Sequence, residues 1–445
     1  MRDIVLTLII FGSIPFIFKR PLIGLLMWVW ISIMNPHRLA YGFAFSMPFA
    51  QVIAICTLLS LLIHARKLHA VPFNAATFAL FGFSLWICIS PLFPVTGVER
   101  YELLMQALKM LLMVLVTFLV VGTRDDIEKL IWVLVGSVAF YGVKGGVFVI
   151  MTAGSYRVWG PAGSFIEENN ALAIALLCAI PLLNYLRSQA GRIWLRYALL
   201  VSMVLCFLSA LGSYSRGALI AMFAMGTYFW MKSRHKLLVG VIVLASLPLA
   251  FTFMPDRWVE RMSTIQTYDE DRSAQGRINA WWNAWNLARD RFPIGGGFNI
   301  YKSEVFARYS PIPEYVHAAH SIYFQVLGEH GFGGLALYLL IFGSGWWYGG
   351  RVIRRSRGRP DLAWAAELGA MIQVSLIAFG VGGAFLSLTY YDFPYYVVAI
   401  AAVLATVVEK NLARSALRAD SVGSTTLPAQ AVAHQPEVRL SGSGR

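Results

Sequence analysis

Residues 314–334 read EYVHAAHSIYFQVLGEHGFGG, so a glutamate and two histidines stand just ahead of a long apolar run. In a chain with only eight histidines, three uses for them are open. Glu314, His317 and His320 are spaced i, i+3, i+6, which on a helix follows one stripe and could offer ligands to a metal. Catalytic zinc normally takes three protein ligands and keeps one position open. Pro313 and the loop-like surroundings argue against a regular helix there, and HxxH alone is a weak pattern. An imidazole with an ordinary pKa near ~6.5 can instead take a proton at neutral pH, as a base activating a hydroxyl must do. The third use is a capping or structural histidine at a membrane boundary.

Arginines supply the second chemical signal. LGSYSRGALIA places Arg216 between two apolar segments, at the depth where a charge is costly and marks a site by default. A side chain reaching out to lipid phosphates is the competing explanation. SYRVWGPAGSFIEENNALA presents Arg157, Glu167, Glu168, Asn169 and Asn170 where another apolar segment starts. Glu167 or Asn169 there is equally read as a helix cap. Arg277 opens GRINAWWNAWNLARDRFPIGGGFN, where it could equally be a solvated loop charge. If Arg157, Arg216 and Arg277 converge they form an anion clamp, because the guanidinium fork matches phosphate oxygens and never loses its charge.

The elements that must hold these groups are membrane helices. Of 445 residues, 58% are apolar and only 13% are charged, with a mean hydropathy of +0.63, far from the roughly 25% charged of soluble domains. Apolar runs of spanning length recur over 3–18, 21–34, 46–63, 73–90, 103–121, 128–150, 169–187, 193–211, 217–231, 236–253, 321–349, 364–388 and 391–408. A bilayer core needs about 20 helical residues, so the first two, being short, read as tilted helices or a broken pair. The expectation is an all-α polytopic membrane protein with about 12 spans, given that threshold. The start, MRDIVLTLIIFGSIPFIFKRP, lacks a small-residue cleavage site and reads as a membrane helix. Cys56, Cys88, Cys178 and Cys206 all fall in apolar segments and read as small hydrophobes.

The loops 64–69, 187–196, 231–236 and 351–360 are basic and fall on one side, which the positive-inside rule makes cytoplasmic. Most of the +14 net charge is thereby a topology signal, not a nucleic-acid footprint. The opposite face carries 91–102, 151–168, 212–216, 389–392 and one long loop, 254–320. Basic and acidic residues balance in that loop. Trp258, Trp281, Trp282 and Trp285 suit a helix lying at the interface, ended by Pro293 and turned by Gly295–Gly297. Residues 1–410 form the membrane domain in this reading, and 411–445 a disordered cytoplasmic tail.

Taken in order, SYSRGAL, GRINAWWNAW…PIGGGF and HSIYFQVLGEHGFGG after a long extracytoplasmic loop resemble the O-antigen ligase and polymerase superfamily. RVWGPAGSFIEENNALA also fits that pattern. PLIGLLMWVWISIMNPHRLAYGFAFSMPFAQVIA resembles the exosortase-associated O-glycosylation ligases. The resemblance covers residues 1–410. It implies a type-C membrane glycosyltransferase of the bacterial inner membrane, with no metal and no cofactor and a periplasmic active site. Such an enzyme transfers a glycan from undecaprenyl diphosphate to a sugar hydroxyl of lipid A-core, in lipopolysaccharide biosynthesis. It assigns His320, which directly precedes Ser and lies nine residues before Glu329, as the base. Arg216, Arg277 and, more weakly, Arg157 would hold the donor diphosphate, while His317, Glu329, Glu167 and Asn169 are secondary. A protein O-glycosylation ligase or O-antigen polymerase would share the donor and differ in acceptor. A transporter of lipid-linked glycans would instead place charges near the bilayer midplane and often show internal repeats.

Overall fold

A computed structural model of the chain describes residues 1–96, 101–232, 272–298 and 300–424. Among these, the longer elements are all α-helices and no strand occurs. We number the helices α1 (Arg2–Lys19), α2 (Pro21–Met34), α3 (Phe49–Ile63), α4 (Ala75–Ile89), α5 (Tyr101–Val120), α6 (Arg124–Met151) and α7 (Asn169–Gln189). They continue with α8 (Ile193–Leu211), α9 (Arg216–Lys232), α10 (Arg272–Asp290), α11 (Ser303–Tyr309), α12 (Ile322–Arg355), α13 (Ala363–Gly383) and α14 (Asp392–Ser424). Among the described residues, eight helical segments are long and apolar enough to cross a membrane, and α2 and α3 are apolar but shorter. The chain is a multi-pass helical membrane protein, the architecture that satisfies every backbone hydrogen bond within one segment. The span expected over 236–253 and the first part of the long loop lie outside the described residues.

The short opening segments form two helices rather than one. Arg20 precedes Pro21, whose ring pushes the preceding residue out of helical geometry, and Arg20 is extended (φ −148°, ψ 109°). Its guanidinium then meets Asp126 at the start of α6, Nη2–Oδ1 2.6 Å. Further contacts gather the basic loops at this end of the bundle. The His69 amide donates to the Leu119 carbonyl (2.9 Å), Arg124 Nη2 to Gln189 Oε1 (3.0 Å), Gln189 Nε2 to Glu367 Oε2 (2.9 Å), and Arg351 pairs with Glu409. At the other end, Asp3 accepts from the amides of Gly42 and Ala44, both at 3.1 Å. There too the Val158 amide donates to Gly212 and that of Val95 to Gly296. The chain's first residues therefore lie on the same end as the loops 35–48, 152–168 and 212–215.

Helices α7, α13 and α14 are mostly buried and form the centre, whereas α8 turns much of its surface outward. Helix α14 continues to Ser424, beyond residue 410 where the sequence reading placed the start of a disordered tail. NLARSALR is rich in strong helix formers, so the helix propagates past its apolar part. Residues 425–445 lie outside the described set.

Candidate active site

Two helices are locked together before any site residue is placed. Helix α12 is kinked at Gly331, whose φ of 65° and ψ of −167° break the helix. Its Cα faces the loop after α10 so closely that a Cβ there would lie 2.2 Å from the Pro293 carbonyl oxygen. Only glycine fits such an approach at positive φ. The loop is then stitched to α12 by backbone bonds: Gly296 donates to Gly328 (2.9 Å), Gly297 to Glu329 (2.8 Å) and Gly333 to Pro293 (3.1 Å). The PIGGGF and GEHGFGG motifs, read as separate signals in the sequence, are two halves of one clip.

The clip lays α10 along the start of α12. Trp281 stacks on Phe324 with centroids 5.0 Å apart, an arrangement worth about 0.5–1.5 kcal/mol beyond burial. The same indole donates to the Ala319 carbonyl at 2.7 Å, one residue before His320. Asn279 donates to the carbonyls of Ile312 (2.9 Å) and Tyr315 (3.0 Å), pinning the 310–320 segment to α10. A Cβ on Gly276 would lie 2.9 Å from Cδ2 of His317, so the turn that carries Arg277 sits on that ring. The two histidine rings are 5.2 Å apart. His317 Nδ1 is 2.9 Å from the Ala318 carbonyl, whereas the His320 ring forms no hydrogen bond among the described residues. His320 also holds a left-handed backbone, φ 42°, a conformation uncommon for a residue with a Cβ. Burial, and then the charge of Arg277 and His317, push its pKa down to about 4. It is therefore a neutral imidazole at neutral pH, half-buried beside an arginine. Glu314 does not join the two histidines: no group of three or more potential metal ligands is gathered among the described residues.

A second flank forms at the α8–α9 turn. Ser215 accepts from the Ala218 amide (3.2 Å) and caps α9, which puts Arg216 at the helix N-terminus, half-buried. A cation there opposes the helix dipole, whereas an anion would be favoured by both. Tyr214 has φ 59°, and the Arg157 guanidinium lies over its ring at 5.9 Å. Asn169 is buried and donates to the Ser213 carbonyl at 2.6 Å, so it builds this turn. The capping role considered for Glu167 and Asn169 is not what they do. Glu168 occupies the N-cap of α7 without a side-chain bond, and Glu167 accepts from the Gly163 amide at 2.7 Å within its own loop.

The two flanks meet at the end of α13. A Cβ on Gly217 would lie 3.3 Å from Phe385, and one on Gly383 would lie 2.7 Å from Ile322, two residues after His320. Tyr323 donates to the Gly380 carbonyl at 2.8 Å. Arg157 with Arg216, and Arg277 with the histidines, thus stand at one end of the bundle on either side of a shared segment.

Residues 201–339, which contain Arg216, Arg277, both loop histidines and Glu329, match the family described as O-antigen ligase. That match places residues 201–339 in the O-antigen ligase superfamily. Residues 1–191, which contain Arg157, Glu167 and Asn169, match a family of unknown function (DUF5935). No curated protein matches the chain.

A buried polar chain joins Glu329, named from the sequence, to three residues that the sequence reading did not single out, His330, Ser90 and Tyr390. Tyr390 donates to Glu329 (2.6 Å), so His330 Nε2 must carry the hydrogen of its own 2.6 Å bond to Tyr390. His330 Nδ1 then accepts from Ser90 at 2.6 Å. His330 is fully buried, and Trp86 donates to its carbonyl at 2.8 Å. Glu329 faces Tyr301, whose phenol burial and then the Glu329 charge push well above its ordinary pKa. The signal was legible: GEHG places two ionisable groups side by side inside an apolar run. Their partners, Ser90 and Tyr390, lie hundreds and tens of residues away.

Proposed function

We propose that the protein is an O-antigen ligase acting at the periplasmic face of the bacterial inner membrane. It would transfer a glycan from undecaprenyl diphosphate to a sugar hydroxyl of lipid A-core, with inversion and without a metal. The observation that carries this reading is the neutral His320 ring beside Arg277, without a hydrogen bond among the described residues and within the segment that matches the ligase family. In the proposed reaction the acceptor oxygen attacks the anomeric carbon as the bond from that carbon to the phosphate oxygen breaks. The electron pair leaves with the diphosphate, and the hydroxyl proton passes to His320. Arg277 and Arg216 stabilise the charge that grows on the leaving group, an effect worth several kcal/mol in a site shielded from water. A bound diphosphate would also cancel the field of Arg277 at His320. The base would then strengthen only once the donor has arrived.

Transfer is to be measured with purified protein, a polyprenyl diphosphate-linked glycan and lipid A-core, in excess chelator. Product with an inverted anomeric centre supports the reading. Loss of turnover in chelator, restored by zinc or manganese, would overturn the metal-free mechanism. A donor consumed only when a protein or a growing glycan is supplied would replace the ligase by the O-glycosylation or polymerase reading. Arg216→Lys and Arg277→Lys keep the charge and lose the fork, so both should lower turnover strongly; full activity in both removes the clamp.

A further inference from the structure

The region of unknown function also contributes Arg38, a guanidinium that the site described above does not use. Arg38 sits in the short turn Pro36–Leu39 after α2, at the same end of the bundle as Arg157 and Arg216. This turn is firmly held. Tyr141 donates to the Met34 carbonyl, Asn35 Nδ2 to Ser32 (2.8 Å) and Arg2 to Leu39 (3.3 Å). Asp3 ties down the residues that follow. The Arg38 guanidinium lies 4.7 Å over the Phe45 ring. Its Cζ is 3.2 Å from where a Cβ on Gly163 would stand, and Gly163 has φ +72°.

What Arg38 lacks is an acceptor. Its side chain makes no ion pair or hydrogen bond among the described residues, and its Nε is shut off from water without a partner, as is Nδ1 of its neighbour His37. The carboxylate in the facing loop, Glu167, accepts from the Gly163 amide at 2.7 Å and forms no ion pair with Arg38 among the described residues. Holding a cation at a membrane boundary without an anion is costly. A ring beneath it and a glycine at its edge fix its plane, as a site for phosphate oxygens requires. The loop that walls it, 152–168, also carries Arg157 onto the Tyr214 ring.

We propose that Arg38, seated on Phe45 against Gly163, binds a phosphate group of a lipid-linked substrate, as a subsite separate from Arg216 and Arg277. The proposal rests on the function proposed above for the chemistry of its ligand. That phosphate belongs either to the donor's diphosphate or to the acceptor's headgroup. Binding of farnesyl diphosphate and of lipid A is to be measured on the full chain in zwitterionic nanodiscs, for the wild type, Arg38→Gln and Arg38→Lys. Arg38→Gln should weaken one probe by about tenfold or more, the scale of a lost charge-assisted bond, and Arg38→Lys should recover it only in part. Loss confined to farnesyl diphosphate assigns the donor, and loss confined to lipid A assigns the acceptor. Gly163→Ala keeps the charge but crowds the guanidinium by a few tenths of an ångström and strains the loop at φ +72°, so it should weaken the same probe, by less, even if Arg38→Gln fails to fold. A wild type that binds a probe while Arg38→Gln and Gly163→Ala bind it equally well overturns the subsite alone. A wild type that binds neither probe removes the function proposal, and the subsite with it.

Discussion

His320 and His330 stand ten residues apart on one continuous stretch of chain, and almost everything about them differs. His320 sits in the segment leading into α12, half-buried, with left-handed backbone, no hydrogen bond to its ring among the described residues, and an arginine beside it. His330 lies at the α12 kink, fully buried, with both ring nitrogens bonded at 2.6 Å. A ring whose two nitrogens are occupied can neither take nor give a proton without breaking a buried network, and such networks fix structure. A ring that is unbonded, neutral and open on one side is free to react. The residue with the awkward backbone is also the one whose ring forms no hydrogen bond among the described residues, and such outliers gather at functional sites.

The comparison is broken most directly by removing each ring in turn. His320→Ala should lower transfer by about 10²–10⁴, the usual cost of losing a general base, while farnesyl diphosphate still binds. His317→Ala should lose much less, since its ring is held by the neighbouring carbonyl of Ala318. A dead His317→Ala beside an active His320→Ala would reverse the assignment. If neither is impaired, the base lies elsewhere, and Glu167 and Glu168 are the next residues to change.

His330→Phe is expected to act on folding. It leaves the buried Ser90 hydroxyl without its acceptor, at about 1–3 kcal/mol for a group left unsatisfied, and takes one of the two bonds of the Tyr390 hydroxyl, which keeps Glu329. Thermal stability in detergent should drop, while turnover per folded molecule stays within a few-fold of wild type. A fully stable but inactive His330→Phe would show that the buried chain takes part in the chemistry.

The smallest effect is in the pH dependence. With its folded pKa at about 4, against ~6.5 when free in the unfolded chain, His320 binds fewer protons folded than unfolded between those values. Its contribution to stability is therefore complete above the upper value and is lost as the pH falls towards the lower one. In kinetics, the acid limb of kcat/KM should fall near the lower value, because that parameter reports the free enzyme. The limb of kcat should lie higher, since the bound diphosphate offsets Arg277. Arg277→Gln should raise the kcat/KM limb and narrow the gap. Coincident limbs in the wild type would show that Arg277 and the donor do not act on this ring.

The membrane class, the helices and the grouping of the basic loops could be read from the sequence, because each depends on local apolar length or loop charge. The chemical types at the site were legible too: Arg157, Arg216, Arg277 and His320 stand out as polar groups at the ends of apolar runs. Glu167 and Asn169 misled, because a polar residue before a helix looks like a cap whether or not its side chain turns back to the backbone. Asn169 instead reaches the Ser213 carbonyl, and no local pattern encodes that partner.

What the sequence determined by itself about this protein is which residues carry charge at the ends of its membrane helices, since composition and period are properties of short segments. What the tertiary structure decided is which of those groups are free to act. The charge of Arg277 acts on His320 because Pro293–Gly297 is clipped into the kink at Gly331, which lays α10 along the start of α12. His330 is silenced by Ser90 and Tyr390, and Arg38 faces Gly163 across a gap of more than a hundred residues in the chain. Each of these outcomes rests on close contact between distant segments, and contact of that kind is set by packing rather than by any residue's neighbours in sequence.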